Sequence, residues 1–211
     1  MSEDSSANKP NNMASSSTLY ARLMQLHESS YLTLLSIVQG VAMGFLGANM
    51  PVQRIASEWL LFLVTFMFVV LVWAEYNMGV ASLSWIPTFR DALIPFALCM
   101  AEIAMSKLLA RPRDWFLAAA FFCVIGFFAF VNMYTRARRF PQNAEMLRVL
   151  GWWKPAGEIF CILAAAIFLL LAISNCHAAA CAATALAVGA LFAIRTQMAW
   201  RRIVRYAKSS M

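Results

Sequence analysis

Glu102 is the residue whose position most invites chemistry, because it falls inside the apolar stretch 92–110. A carboxylate at membrane depth is costly unless it is paired or wetted, so it is expected to face the interior of a helical bundle. Helical spacing places Asp91, Pro95, Leu98, Glu102 and Ser106 along one stripe, which puts two acids, a hydroxyl and a kink-prone position on one face. Such a stripe could line a cavity or an ion path, with a carboxylate binding a cation or proton. The competing reading is an acid that is protonated or bonded to a neighbour and only specifies packing.

Two further polar positions belong with it. Glu75, beside Tyr76 and Asn77, lies toward the end of a second apolar run, where it could pair with Arg90 or line a vestibule. Gln39 sits among Ser36, Gly40 and Gly44, and the sequence GVAMG from Gly40 to Gly44 is a GxxxG pattern that lets helix backbones approach closely. That pattern suits tight packing within the bundle or a dimer seam, with Gln39 bonding across the contact or facing a pore. Lys107 and Arg195 near span ends are expected to snorkel.

Enzyme signatures are missing: there is no HExxH, no GxSxG, no phosphate-cradling glycine loop and no CxxC pair. The chain is read as a non-enzyme without cofactor. His177 with Cys176 and Cys181 lacks a fourth ligand and a suitable spacing, so no metal site is expected. Five cysteines in or beside apolar runs do not make a disulfide framework; only Cys176 and Cys181, flanking a short connection, could pair.

The elements that must position these residues follow from composition. Of 211 residues, 62% are hydrophobic and 13% charged, against about a quarter charged in soluble domains. A globule of this composition would expose large apolar areas to water, and a lipid solvent removes that difficulty. Apolar runs predict six transmembrane helices, at about 31–50, 59–80, 92–110, 115–134, 159–175 and 178–196, forming an all-α polytopic bundle. Segment 92–110, with Pro95, Glu102 and Lys107, is the weakest and could instead be re-entrant. Trp59, Trp73, Trp85, Trp115, Trp152, Trp153 and Trp200 lie at or near the proposed ends, where indoles favour the interface.

Residues 1–29 are polar, without a secretory signal, and are read as a mostly disordered cytoplasmic tail ahead of the membrane domain 30–197. Thirteen basic residues then fall on the side holding both termini, namely Lys9, Arg22, Arg90, Arg136, Arg138, Arg139, Arg148, Lys154, Arg195, Arg201, Arg202, Arg205 and Lys208. Four fall on the other: Arg54, Lys107, Arg111 and Arg113. The asymmetry places both termini in the cytoplasm. The basic loop 135–157 contains an amphipathic stretch, Met146, Leu147, Val149 and Leu150, and the segment 198–211 reads as a basic amphipathic helix with Trp200, Ile203, Val204 and Ala207 on one face. Arg136, Arg138, Arg139, Arg201, Arg202, Arg205 and Lys208 are the expected docking points for anionic lipid or a cytosolic protein. Nucleic acid is not an expected partner, since topology already accounts for the basic loops.

Two functions fit. The first is a homo-oligomeric channel for ions or protons centred on Glu102 with Asp91, Gln39, Glu75 and Ser106. The second is a membrane sensor or anchor that recruits a cytosolic partner through the basic loop and C-terminal segment, as a subunit of a bacterial stress or antiviral defence system would. Compactness and the lack of eukaryotic targeting signals point to a bacterial inner membrane.

Overall fold

The computed structural model describes residues 11–51, 56–85, 88–174 and 177–209, with side chains described from residue 30 onward. Among the described residues seven α-helices follow one another: α1 (Asn11–Ala48), α2 (Ala56–Ser82), α3 (Phe89–Lys107), α4 (Pro112–Ala137), a short α5 (Ala144–Leu150) after a single 3-10 turn, α6 (Trp153–Ile173) and α7 (Ala178–Ser209). Among the described residues there is no strand. Five helices, α1 from Ser30, α2, α4, α6 and α7, are long and apolar enough to cross a bilayer, and the chain is a helical membrane bundle. Outward-facing Ile37, Phe66, Phe121, Phe128, Ile162, Leu170 and Leu191 are exposed, which suits lipid and not water.

Helix α3 carries Arg90, Asp91, Glu102 and Lys107 and so falls outside that set of five. It nonetheless lies beside α1 over its whole length. The Tyr31 hydroxyl donates to the Asp91 carbonyl at 3.2 Å, the Cys99 thiol to the Val38 carbonyl at 3.3 Å, and the Lys107 ammonium lies 5.4 Å over the Phe45 ring. Its 19 residues rise about 28 Å, close to the thickness of a hydrocarbon core.

The same contacts set direction. α1 and α3 run parallel; α2 and α7 also run parallel, with Gly189 against Met67 and Phe68, and Thr196 against Glu75. α4 runs against α6, since Phe116 meets Phe168 and Gly126 meets Cys161. Trp153, Arg195 and Glu75 meet at one level, and Asp91 meets Asn132 at the same end. α1, α3 and α6 therefore start at one end of the bundle, here termed the basic end, and α2, α4 and α7 return to it.

Aromatic side chains fill the opposite half. Phe68 stacks on Phe122 at 5.1 Å, and Trp115 and Phe116 pack against Phe168. Trp115, expected at an interface, is fully buried; its indole N–H donates to the Thr65 hydroxyl at 3.0 Å, and Thr65 passes its own proton to the Leu61 carbonyl. A bonded indole loses nothing by leaving the interface. Trp85 is also buried, while Trp73, Trp152 and Trp200 remain exposed.

At the basic end Asn143 is a clamp between connections. Its carbonyl accepts from the Ser84 N–H, and its amide donates to the Ser84 and Ala137 carbonyls. Gly151, at φ +48°, makes the turn from α5 into α6, a conformation that side chains disfavour. The stretch 143–150 does not lie free at the interface: Leu150 is buried, and Met146 and Leu147 pack against a cluster holding Ala199 and Ile203 of α7. Nor do residues 198–209 form a separate helix, because α7 continues unbroken to Ser209 and buries Ile203. Helix α1 takes in residues 11–29 of the segment read as tail; extending an existing helix is cheap compared with nucleating one. Residues 1–10 lie outside the described residues.

Trp115→Ala is expected to cost about 3–5 kcal/mol of stability, read as a lowered midpoint of detergent-induced unfolding; a loss under about 1 kcal/mol contradicts this packing.

Candidate functional site

The polar stripe of α3 lies on its buried face: Asp91, Pro95, Leu98, Glu102 and Ser106 are all buried. Their surroundings differ. Glu102 is 1% exposed and neither carboxyl oxygen has a hydrogen-bond partner. Gln39 of α1, 5% exposed, is equally bare at both amide atoms. The two side chains face each other closely enough for Gln39 to bear on the carboxyl, yet they stop short of hydrogen-bonding geometry. Buried polar atoms are normally bonded, so an acid and an amide that have only each other nearby set this position apart from the other acids. Ser106 is not part of that pair; its hydroxyl donates to the Ile103 carbonyl of its own helix at 2.8 Å.

Asp91, eleven residues earlier, rises about 16 Å away along α3 and is fully engaged. Oδ2 accepts from the Thr88 backbone N–H and hydroxyl, closing a capping box at the start of α3. Oδ1 accepts from the Asn132 amide and sits 3.5 Å from Arg136 Nε. Arg136 in turn donates to Asn132 Oδ1 at 3.1 Å. Tyr31 and Tyr76 connect this cluster inward: their hydroxyls interact, and Tyr76 lies within electrostatic reach of both Asp91 and Glu102. A cavity of about 10 Å³ lined by Tyr31, Tyr76, Asp91 and Asn132 lies between them.

Glu75 does not meet Arg90. Its Oε1 accepts from Arg195 Nη1 at 2.5 Å and from the Thr196 hydroxyl. Arg195 does not snorkel either: it is 6% exposed, donates through Nη2 to the Trp153 carbonyl, and lies 5.2 Å from the Phe130 ring centre and 5.8 Å from that of Phe192. A guanidinium can stay at this depth because a carboxylate, a carbonyl and two ring faces replace its water. Gly157 provides the room. A Cβ there would come within 2.8 Å of Arg195 Nη2 and 3.1 Å of the Phe130 ring.

The GxxxG pattern does no packing inside the bundle. Gly40 and Gly44 are on the exposed side of α1, with nothing within 4 Å of the position a Cβ would take. Tight intramolecular packing at this seam is thus excluded, because α1 buries the other face, Leu35, Val38, Ala42 and Leu46. Of the predicted docking residues, Arg136 is taken up by Asp91 and Asn132, whereas Arg138, Arg139, Arg201, Arg202, Arg205 and Lys208 are exposed. Arg202 also donates to the Val149 carbonyl at 3.4 Å.

Cys99, Cys123 and Cys161 are free thiols and Cys181 is disulfide-bonded; Cys176, the partner suggested by sequence, lies outside the described residues. Among the described residues no group of His, Cys, Asp or Glu side chains is arranged to hold a metal ion. The partners that sequence reasoning missed, Arg195, Thr196, Asn132 and Asn143, are joined to their acids or loops across 41 to 121 positions, and no local spacing signals such contacts. Comparison with protein-family models, curated proteins and solved structures finds no match to this chain.

Removing either partner of the Glu75–Arg195 pair alone, by Glu75→Ala or Arg195→Ala, is expected to destabilise the bundle by about 3–5 kcal/mol. The double substitution should cost less than the sum; strict additivity of the two losses in unfolding midpoints would show that the pair is not coupled.

Proposed function

We propose that this chain is a six-span homo-oligomeric membrane protein, both termini cytoplasmic, that carries protons or a small monovalent cation through each protomer by way of Glu102. The observation that carries this reading is the bare carboxyl of Glu102 opposite the bare amide of Gln39. A protonated or cation-bound Glu102 gains partners that the empty pair lacks, so the site is built for transient occupancy. Its depth in the protomer argues against a pore lined by Glu102 between subunits, which would leave the residue exposed in a single chain.

Transport is by alternating exposure, with the described conformation the occluded one. On the cytoplasmic side Tyr76, Tyr31 and the Asp91–Asn132 cluster form a relay. The 10 Å³ cavity among them holds about one water, which suits a proton better than a hydrated ion. Toward the other side, Met105 and Leu109 close the path with apolar bulk. Asp91 anchors the relay and does not bind cargo, since its oxygens are already occupied. The bacterial inner membrane is the membrane in which such a carrier is placed here.

The outward Gly40–Gly44 face supports assembly, since small residues open to lipid are the surface on which a second α1 packs. Gly40→Leu with Gly44→Leu is expected to halve the particle mass measured by light scattering in detergent; an unchanged mass removes this seam. Proteoliposomes loaded with a pH-sensitive dye test transport: Glu102→Gln should reduce proton flux at least tenfold. Flux equal to that of the unsubstituted protein sinks the carrier reading.

The second reading, a non-transporting sensor or anchor of the kind found in defence systems, is favoured by one observation. Packing of α5 on α7 gathers exposed Arg138, Arg139, Arg148, Arg201, Arg205 and Lys208 at one end, a surface for anionic lipid or an acidic cytosolic protein. Arg201→Glu, Arg205→Glu and Lys208→Glu leave the packed face of α7 intact. Unchanged retention on anionic vesicles and unchanged cytosolic partners in this triple variant would rule that surface out.

A further inference from the structure

A second cavity lies between α2, α3, α4, α6 and α7. Its volume is about 70 Å³, where roughly 10–15 Å³ suffices for one water. Its walls are almost wholly apolar, with the rings of Phe122, Phe160 and Phe192 and the small residue Ala164 among them. Such walls do not hold a water cluster, which needs several polar partners. One charged residue belongs to the lining, Glu75. Arg195 and Thr196 occupy its Oε1, while Oε2 is buried with no hydrogen-bond partner among the described residues. Glu75 is 7% exposed, so bulk solvent does not supply the missing donor. An apolar chamber with flat aromatic walls and one orphan acceptor defines its occupant by complementarity.

We propose that this cavity binds a single-ring apolar molecule carrying one hydrogen-bond donor, an arylalkyl amine or alcohol, with its ring among Phe122, Phe160 and Phe192 and its donor on Glu75 Oε2. The Arg195 pair already neutralises Glu75, so the donor need not be charged. The site includes neither Glu102 nor Gln39; Tyr76 lines both this cavity and the smaller one beside Asp91, but the proposal rests on Glu75 and the aromatic walls and not on the transport reading.

The test uses the full chain in nanodiscs, with empty nanodiscs as the partitioning control, and fluorine NMR of 4-fluorobenzylamine, 4-fluorobenzyl alcohol and 4-fluorotoluene. Saturable binding of the amine and the alcohol is expected, at least tenfold tighter than that of the toluene. Equal affinity for all three, or no saturable binding of the donors, overturns the proposal without any variant. Ala164→Phe and Cys123→Phe each fill the chamber from a different wall and should abolish binding; undiminished affinity in either variant, once shown to be folded, also overturns it. Glu75→Gln keeps an acceptor for Arg195 but can present an N–H where Oε2 was. It should lose the amine at least tenfold and gain 4-fluoroacetophenone, which brings an acceptor instead.

Discussion

The buried ion pair between Glu75 and Arg195 is the constraint around which the bundle is organised. An acid and a guanidinium at this depth are tolerable only together, and their meeting fixes three helices at once: α2 through the carboxylate, α7 through Arg195 and Thr196, and α6 through the Trp153 carbonyl. The level at which they meet sets the register of α7 along α2, so that Gly189 falls opposite Met67 and Phe68. Apolar contacts alone specify register weakly, whereas a charged contact with defined geometry specifies it. Gly157 is the counterpart of that demand, an absent side chain required by a present one.

A division of labour among acids follows. Asp91 is spent on capping α3 and holding Asn132 and Arg136. Glu75 is half spent, with one oxygen engaged. Glu102 is unspent: neither oxygen is hydrogen-bonded, with Gln39 facing it and Tyr76 within electrostatic reach. The three share a membrane protein of low charge, yet the number of partners each has separates a structural acid from one available for exchange. The two candidate sites sit where partners are fewest.

The sequence made the bundle legible because apolar runs of about 20 residues carry span and length together. It also made legible the shared buried face of Asp91, Pro95, Leu98, Glu102 and Ser106, since helical spacing alone dictates it. What it hid were contacts between distant helices. Arg195 near a span end resembles any snorkelling cation until Glu75 is placed beside it. Trp115 resembles a belt residue until Thr65 accepts its N–H. Gly40 and Gly44 spell a packing motif without saying which side of α1 is inward; the apolar residues on both sides of that helix leave the question open. The loop 143–150 and the end of α7 each read as amphipathic, and only their mutual contact shows that they cover each other.

The distance in sequence between Glu75 and Arg195, 120 residues, has a consequence for biogenesis. At about 5–20 residues per second of synthesis, α2 waits about 6–24 s in or beside the translocon before its counter-charge is made. Until then a carboxylate must be kept protonated, wet or shielded by an insertion factor, and a chain truncated before α7 retains an orphan acid in lipid. The placement of one arginine thus sets the point in synthesis before which the bundle carries a buried charge without its partner, the costlier state of such a pair.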